Sequence, residues 1–184
     1  MRTTWTALAL ITTLGLIGRA EAGTVAGVAL PDEIQVAGSE LQLNGAGLKE
    51  WMFIDLYAVG LYLQNPTNQP TEALRSDQIK RVHVHMLRGV SGERIAKELR
   101  TRIQRTAPDF HKLEERVDRL AEAIPNMSKG FDFSITYMPG LGTVLRGEDG
   151  TEVHIEGKDF ADALMSVFLG GGQDDGMERA LFGN

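Results

Sequence analysis

The sequence predicts one α+β domain, and three features of the chain support that fold class. Strand-like apolar stretches fill residues 33–63, two amphipathic helical patterns come later, and three more strand patterns precede the final helices. Strands and helices that are grouped in this way, and do not strictly alternate, are typical of α+β domains. A chain of 184 residues is long enough to bury one sizeable core.

The first 22 residues are typical of a signal peptide. Arg2 precedes an uncharged apolar stretch over residues 5–18, and the segment closes with the small-residue pattern Ala20-Glu21-Ala22. The stretch is short for a bilayer span, although an uncleaved anchor is the alternative. We therefore predict cleavage after Ala22, a domain over residues 23–184, and a periplasmic or secreted protein without stable membrane insertion.

The composition narrows the choice of partners and cofactors. The formal net charge is −6, and an acidic surface argues against a nucleic-acid partner. There is no cysteine, so an exported domain must depend on its core and not on disulfides. No phosphate-binding loop, catalytic triad order or paired-carboxylate signature stands out, and we expect no cofactor. We expect a monomer or a weak oligomer.

The front half of the chain is organised around one long apolar run. The predicted elements are an extended lead-in over 23–31, strands over 33–36 and 41–43, a glycine-rich turn or bulge over 44–47, and a long strand over 51–63. Gly45 and Gly47 would either let backbone approach a ligand or simply serve the turn. Asn65-Pro66 ends the long strand.

Side chains alternate between the two faces of a strand, and both faces of this long strand are apolar. We therefore predict that both faces are covered. The exceptions, Asp55 and Tyr57, share one face. Because a buried carboxylate or phenol needs a hydrogen-bond partner, the sequence places a candidate site on that face.

The back half predicts helices and strands in the order of an α+β domain. The predicted helices lie over 70–74, 91–107, 112–124, 159–168 and 174–182, and the predicted strands over 79–87, 131–138, 143–147 and 151–155. In the strand over 79–87, the alternation places Ile79, Val82, Val84 and Met86 on the inward face. Ser91 stands at the N-cap position of its helix. Pro108 and Pro125 end the two middle helices.

Three histidines have a spacing that raises the question of a metal. His83 and His85 share one face of a predicted strand, and His154 lies on another strand as a possible third ligand. No cysteine or fixed motif accompanies them. A solvated strand face shared with Arg81 is the favoured interpretation, and no metal site is predicted.

Five segments, in their order along the chain, resemble the chalcone isomerase-like family. They are VALP, LNGAGLKEWMFIDLYAVGLYL, HMLRGVSGERI, ITYMPGLGT and FADALMSVFLGG. The resemblance covers nearly the whole chain after residue 23 and is closest to bacterial, exported members. It implies an open-faced β-sandwich, in which a large antiparallel sheet is backed by a layer of helices. It also implies a cleft for a small apolar ligand between the two layers.

The resemblance also locates the family's catalytic positions. The isomerases close an unsaturated ketone onto a phenolate with a GAGxR arginine, a strand hydroxyl, and a tyrosine and an asparagine near the start of a helix. The matching residues here are Lys49, Tyr57, Ser91 and Glu98. Only the strand hydroxyl, Tyr57, keeps the chemical function of the family residue. Lys49 lacks the planar fork of arginine. Ser91 is shorter than tyrosine, and Glu98 would repel an anion.

The leading hypothesis is thus a non-catalytic, exported protein that binds a small apolar anion such as a fatty acid. By resemblance to fatty-acid-binding relatives, Lys49 and Tyr57 would hold the carboxylate. Arg88 is a candidate for the missing guanidinium, although a solvated residue at a strand end is its favoured interpretation. The alternative is a solvated Lys49 and a packed Tyr57. An active intramolecular lyase of the chalcone isomerase type and a cell-envelope interaction protein without ligand stay open as other functions.

The Lys49–Tyr57 pair makes a demand on the backbone. The two residues are eight positions apart, which is roughly 26 Å along a straight strand. They can hold one carboxylate only if the chain folds back or bulges between Gly47 and Phe53.

Overall fold

The computed structural model describes residues 23–169 and 175–183, so the predicted signal peptide lies outside the described residues. The strands are β1 (Gly23–Val25), β2 (Val28–Leu30), β3 (Glu33–Val36), β4 (Ser39–Trp51), β5 (Ile54–Leu63), β6 (Lys80–Met86), β7 (Asp132–Met138), β8 (Gly142–Gly147) and β9 (Glu152–Ile155). The helices are α1 (Pro70–Arg75), α2 (Gly92–Thr106), α3 (Phe110–Ala123), α4 (Lys158–Leu169) and α5 (Asp175–Phe182). Within this described part of the chain, no helix has the length and apolar character that a membrane span requires.

The strands β3 to β9 form one antiparallel sheet of seven strands in sequence order, and β1 pairs with β2 in a separate hairpin. One face of the large sheet packs against the helices in a continuous core, which includes Val59 of β5, Val84 of β6, Ile103 of α2, Val117 of α3 and Leu164 of α4. The α+β class and the open-faced β-sandwich are therefore confirmed.

The opposite face of the sheet is covered around the second half of β5. Tyr62 packs there with Val36 and Leu41 in a second, smaller cluster. Burial raises the pKa of the Tyr62 phenol to about 12, because the phenolate would lose its hydration. The prediction that both faces of this strand are covered is thus right for its second half.

The start of the long strand was predicted wrongly. The chain turns at Met52 and Phe53, which have φ angles of 48° and 66°, and the residues before them belong to β4. Of the two alternatives for residues 44–47, the turn is wrong, because these residues lie within β4. The bulge is confirmed, because Asn44 is an extra residue between the Leu43–Tyr62 and Gly45–Leu61 pairs. The turn at Met52 and Phe53 was missed because a tight hairpin with two positive φ angles ordinarily carries Asn, Asp or Gly, and this one carries two large apolar residues.

The two glycines of β4 serve the approach of a helix, which corrects their assignment to a turn or a ligand. A Cβ atom at Gly45 would overlap the backbone carbonyl of Leu181 in α5, and one at Gly47 would lie 2.7 Å from the Met177 sulfur. The Asn44 amide donates a hydrogen bond of 2.8 Å to that same Leu181 oxygen. Together these contacts hold α5 across β4, with the backbones of the two elements in direct contact.

Candidate ligand-binding cleft

A cleft of about 350 Å³ opens between the large sheet and the helices. Its apolar walls are formed by Val84, Met86, Phe133, Ile135 and Leu145 from the sheet and by Ile95, Leu99, Ile124, Val167 and Phe168 from the opposite side. A concave apolar space of this size is typical of a small-molecule site. Because the face of β5 that carries Tyr57 borders it, the cleft lies where the sequence placed a candidate site.

The charged side chains that line the cleft come from two elements. Lys49 and Glu50 come from β4, and Arg94, Glu98 and Arg102 come from α2. Glu50, Arg94 and Glu98 are exposed, so we call this charged end the mouth of the cleft. An apolar interior with a charged mouth suits a ligand that has an apolar body and one polar or charged end.

Lys49 and Tyr57 face each other across the β4–β5 hairpin. They are direct partners in the strand register, and side chains of such partners stand about 4.5–5.5 Å apart at their Cβ atoms. Both residues line the cleft. The chain therefore folds back as the Lys49–Tyr57 hypothesis requires, and the turn that achieves it is the one at Met52 and Phe53.

A β-bulge next to this pair shapes the cleft further. Lys49 pairs with Tyr57 but Glu50 pairs with Asp55, which leaves Leu56 as the extra residue on β5. A bulge turns side chains away from strict alternation. This explains why the consecutive residues Leu56 and Tyr57 both line the cleft, whereas Asp55 does not.

Glu98 lies in the cleft with its charge balanced. The Arg102 Nε donates a hydrogen bond of 2.7 Å to the Glu98 Oε1 one helical turn away. The repulsion that an unpaired glutamate would exert on an anionic ligand is therefore offset by a neighbouring guanidinium.

Ser91 and Arg88 stand outside the lining of the cleft. Ser91 occupies the N-cap position of α2, but its hydroxyl makes no capping hydrogen bond. Instead the Gly92 N–H donates to the Asn126 Oδ1 at 2.9 Å. Arg88 is exposed in the connection between β6 and α2. The structure thus brings Lys49, Tyr57 and Glu98 together and leaves the other two predicted residues apart.

Sequence reasoning missed two cations of the mouth, Arg94 and Arg102. The Arg94 guanidinium lies over the Trp51 ring, 5.5 Å from its centroid. Arg94, Glu98 and Arg102 recur at intervals of four residues, beside the buried residue Leu99. Residues four apart share one side of a helix, so this spacing was the available signal for a charged strip along the edge of the apolar stripe.

The histidines lie on the outer face of the sheet, away from the cleft. The Asp132 Oδ1 lies 3.2 Å from the His83 Nε2 and 2.9 Å from the His85 Nδ1. Burial lowers the pKa of His83, and its contact with Asp132 opposes that shift. His154 contacts the Leu141 carbonyl instead. In residues 23–169 and 175–183, no group of three or more potential ligands is arranged to hold a metal.

Comparisons with known proteins agree with this architecture. A family model described as chalcone isomerase-like matches residues 22–183. The crystal structure of a fatty-acid binding protein from Arabidopsis thaliana superposes with a TM-score of 0.66 over 89% of this chain and 100% of that chain, at 14% sequence identity. At that identity the likeness shows the fold alone. No curated protein matches the sequence significantly. Because the family match spans nearly the whole described domain, this chain belongs to the chalcone isomerase-like family.

Proposed function

We propose that this protein binds a fatty acid, or a closely similar amphipathic anion, in the cleft between the sheet and the helices. The observation that carries the proposal is the cleft itself, which combines apolar walls with a mouth that holds Lys49, Arg94 and Arg102. The structurally similar plant protein, which is named for fatty-acid binding, is consistent with this ligand class. We also propose that the protein is exported to the periplasm or secreted, because its first 22 residues have the pattern of a signal peptide.

The two ends of the cleft would recognise the two ends of the ligand. An acyl chain buried against Leu99, Phe133 and Ile135 gains about 0.8 kcal/mol per methylene removed from water. The carboxylate at the mouth would accept charge-assisted hydrogen bonds from the Lys49 ammonium and the Tyr57 phenol, which face each other across the hairpin. An interaction protein without ligand would leave this apolar volume open to water, which is unfavourable.

Titration of dodecanoate into variants of this pair tests the proposal. We expect Lys49→Met and Tyr57→Phe each to weaken binding by about 1.5–2 kcal/mol, which is roughly 10- to 30-fold, because each removes one donor to a charged group. The measurement is isothermal titration calorimetry. Lys112→Met is the matched control, since Lys112 is an exposed lysine of α3 paired with Asp109. Equal affinity in the wild type and in both cleft variants, with the fold intact, would remove the pair as the site.

We also propose that the protein does not catalyse the family's cyclisation. Ser91, at the position that matches the family's helix tyrosine, is outside the cleft lining, and Glu98 is paired with Arg102. Two groups that would polarise the ketone are therefore replaced. We expect chalcone to cyclise at a rate within a few-fold of a heat-killed control, with no stereoselectivity. Stereoselective flavanone formation well above that control would favour the lyase instead.

A further inference from the structure

The tip of the β4–β5 hairpin presents four consecutive apolar side chains to solvent. Phe53 is 100% exposed and Met52 is 71% exposed, and Trp51 and Ile54 flank them at 52% and 41%. Using about 200 Å² for a large apolar side chain, the four present on the order of 500 Å² of apolar surface. This is comparable to the largest apolar patch of a typical single domain, and such patches are often sites of contact with a partner or a membrane.

The backbone of the tip is held in a conformation that these residues disfavour. Met52 and Phe53 both have positive φ angles, a region in which side chains other than Gly, Asn and Asp are uncommon. An Asn-Gly pair would form the same turn without this strain. The tip therefore keeps large apolar side chains at a cost in stability. For Phe53, no contact within the described residues offsets that cost.

The shape and size of the tip fit a lipid surface better than a protein partner. A stable protein interface needs roughly 800 Å² on each side, and this narrow convex tip offers less. A bilayer needs no complementary shape, since a few apolar side chains can enter the region between headgroups and acyl chains. Tryptophan favours that region because its ring combines an apolar body with a polar N–H.

The tip is also continuous with the cleft. Trp51 belongs to both, since it lines the cleft and is half exposed, and the Arg94 guanidinium stacks on its ring. Arginine beside an aromatic ring is well suited to the headgroup level, where its stem lies along apolar surface and its charge reaches phosphate. An apolar tip in the bilayer would therefore bring the mouth of the cleft to the lipid surface.

We propose that the β4–β5 tip is a peripheral membrane-docking element, which inserts Met52, Phe53 and the Trp51 ring into the interfacial region of a phospholipid bilayer. Charges of both signs surround it, with Lys49 and Arg94 near Glu50 and Asp55. Insertion therefore depends on apolar burial and not on anionic lipid. Insertion of the tip requires no bound ligand, so this proposal can be tested independently of the fatty-acid site.

Fluorescence of Trp51 tests the insertion directly. The chain has two tryptophans, so the full-length protein carries Trp5→Phe to leave Trp51 as the only reporter. The probes are vesicles of phosphatidylcholine, with and without phosphatidylglycerol, whose acyl chains are brominated. We expect a blue-shifted Trp51 emission that brominated chains quench in both vesicles, and that persists at about 0.5 M salt, where surface charges are screened within a few ångströms.

The matched variant replaces the tip without endangering the fold. Met52→Asn combined with Phe53→Gly supplies the turn residues that hairpins prefer, so we expect a higher melting temperature together with a partition coefficient at least 10-fold lower. Leu141→Ser is the control, because Leu141 is 54% exposed in the β7–β8 turn at the other end of the sheet. That control should leave Trp51 quenching unchanged.

Three outcomes would overturn the proposal. One is vesicle binding without quenching of Trp51, which would assign the attachment to residues 1–22 and leave the tip in water. Another is quenching that the tip variant retains in full. The third is lipid-free self-association that sedimentation detects in the wild type and not in the tip variant, which would make the tip a contact between two copies of the chain.

Discussion

Replacing Lys80 with methionine should lower the free energy of unfolding by about 3 kcal/mol. The Lys80 side chain is 1% exposed, and its Nζ donates to the backbone oxygens of Ala73, Leu74 and Ser76 at 2.7, 2.8 and 2.9 Å. These are carbonyls at the C-terminal end of α1, which has no further turn to satisfy them. Methionine fills similar space but leaves the Leu74 and Ser76 carbonyls without this donor and leaves Ala73 only the Ser76 hydroxyl, at 3.2 Å. Each acceptor left without a donor costs about 1–3 kcal/mol before relief of ammonium burial.

The pH dependence of this loss gives a second measurement. Burial lowers the pKa of Lys80 from 10.5 to about 8, and the nearby Asp162 opposes that shift. Between these two values the unfolded chain holds a proton that the folded protein has released, so stability rises with pH in that window. We therefore expect the advantage of the wild type over Lys80→Met to widen from pH 8 to pH 10 and to be smallest below pH 8.

Chemical denaturation followed by circular dichroism measures both effects. Lys112→Met is again the control, since an exposed lysine in a surface ion pair contributes little to stability. Equal unfolding free energies for the wild type and Lys80→Met would show that the three carbonyls find other donors. A parallel pH dependence of the two proteins would show that the Lys80 ammonium stays protonated throughout.

Lys80 also shows how far the sequence predicts the fold. Alternation along β6 correctly placed Val82, Val84 and Met86 on the inward face, and amphipathic spacing correctly predicted α2 and α3. However, Ile79 was predicted inward and instead packs with the outer cluster around Tyr62. Lys80, the next residue along the strand, is the one whose side chain points inward. A lysine is buried only where specific acceptors meet it, and that condition depends on how α1 packs, which local periodicity does not encode.

The same limit applies to the cleft. The motif resemblance located Lys49, Tyr57 and Glu98, which do line it. The turn between Lys49 and Tyr57 was hidden, because its residues are apolar where turn chemistry calls for Gly or Asn. Arg102 was overlooked because a charged residue at the edge of a helical stripe has the same local pattern whether it faces water or a ligand. Only the meeting of α2 with the β4–β5 hairpin distinguishes the two cases.

Arg102→Glu should weaken the binding of a fatty-acid anion by about 150-fold. The described residues that line the mouth hold three cations and two carboxylates, and this change leaves two cations against three carboxylates. Each unit charge about 6 Å from the ligand carboxylate is worth roughly 3 kcal/mol at an effective dielectric constant of about 20. The substitution removes one positive charge and adds one negative charge. Solvent at the open mouth reduces the sum of these two effects by about half, to roughly 3 kcal/mol.

Two controls distinguish an electrostatic effect on binding from a distortion of the cleft. One is a neutral ligand of equal length, and the other is a variant in which the two charges are exchanged. We expect dodecan-1-ol to bind Arg102→Glu as well as it binds the wild type, because its alkyl chain would lie against cleft residues such as Leu99 and Ile135, which are unchanged. Glu98→Arg combined with Arg102→Glu restores the net charge and an ion pair one helical turn apart, so it should recover most of the dodecanoate affinity. Calorimetry with both ligands measures this. Equal weakening for the alcohol and the acid would mean that the substitution distorts the cleft, and unchanged dodecanoate affinity would place the carboxylate away from this mouth.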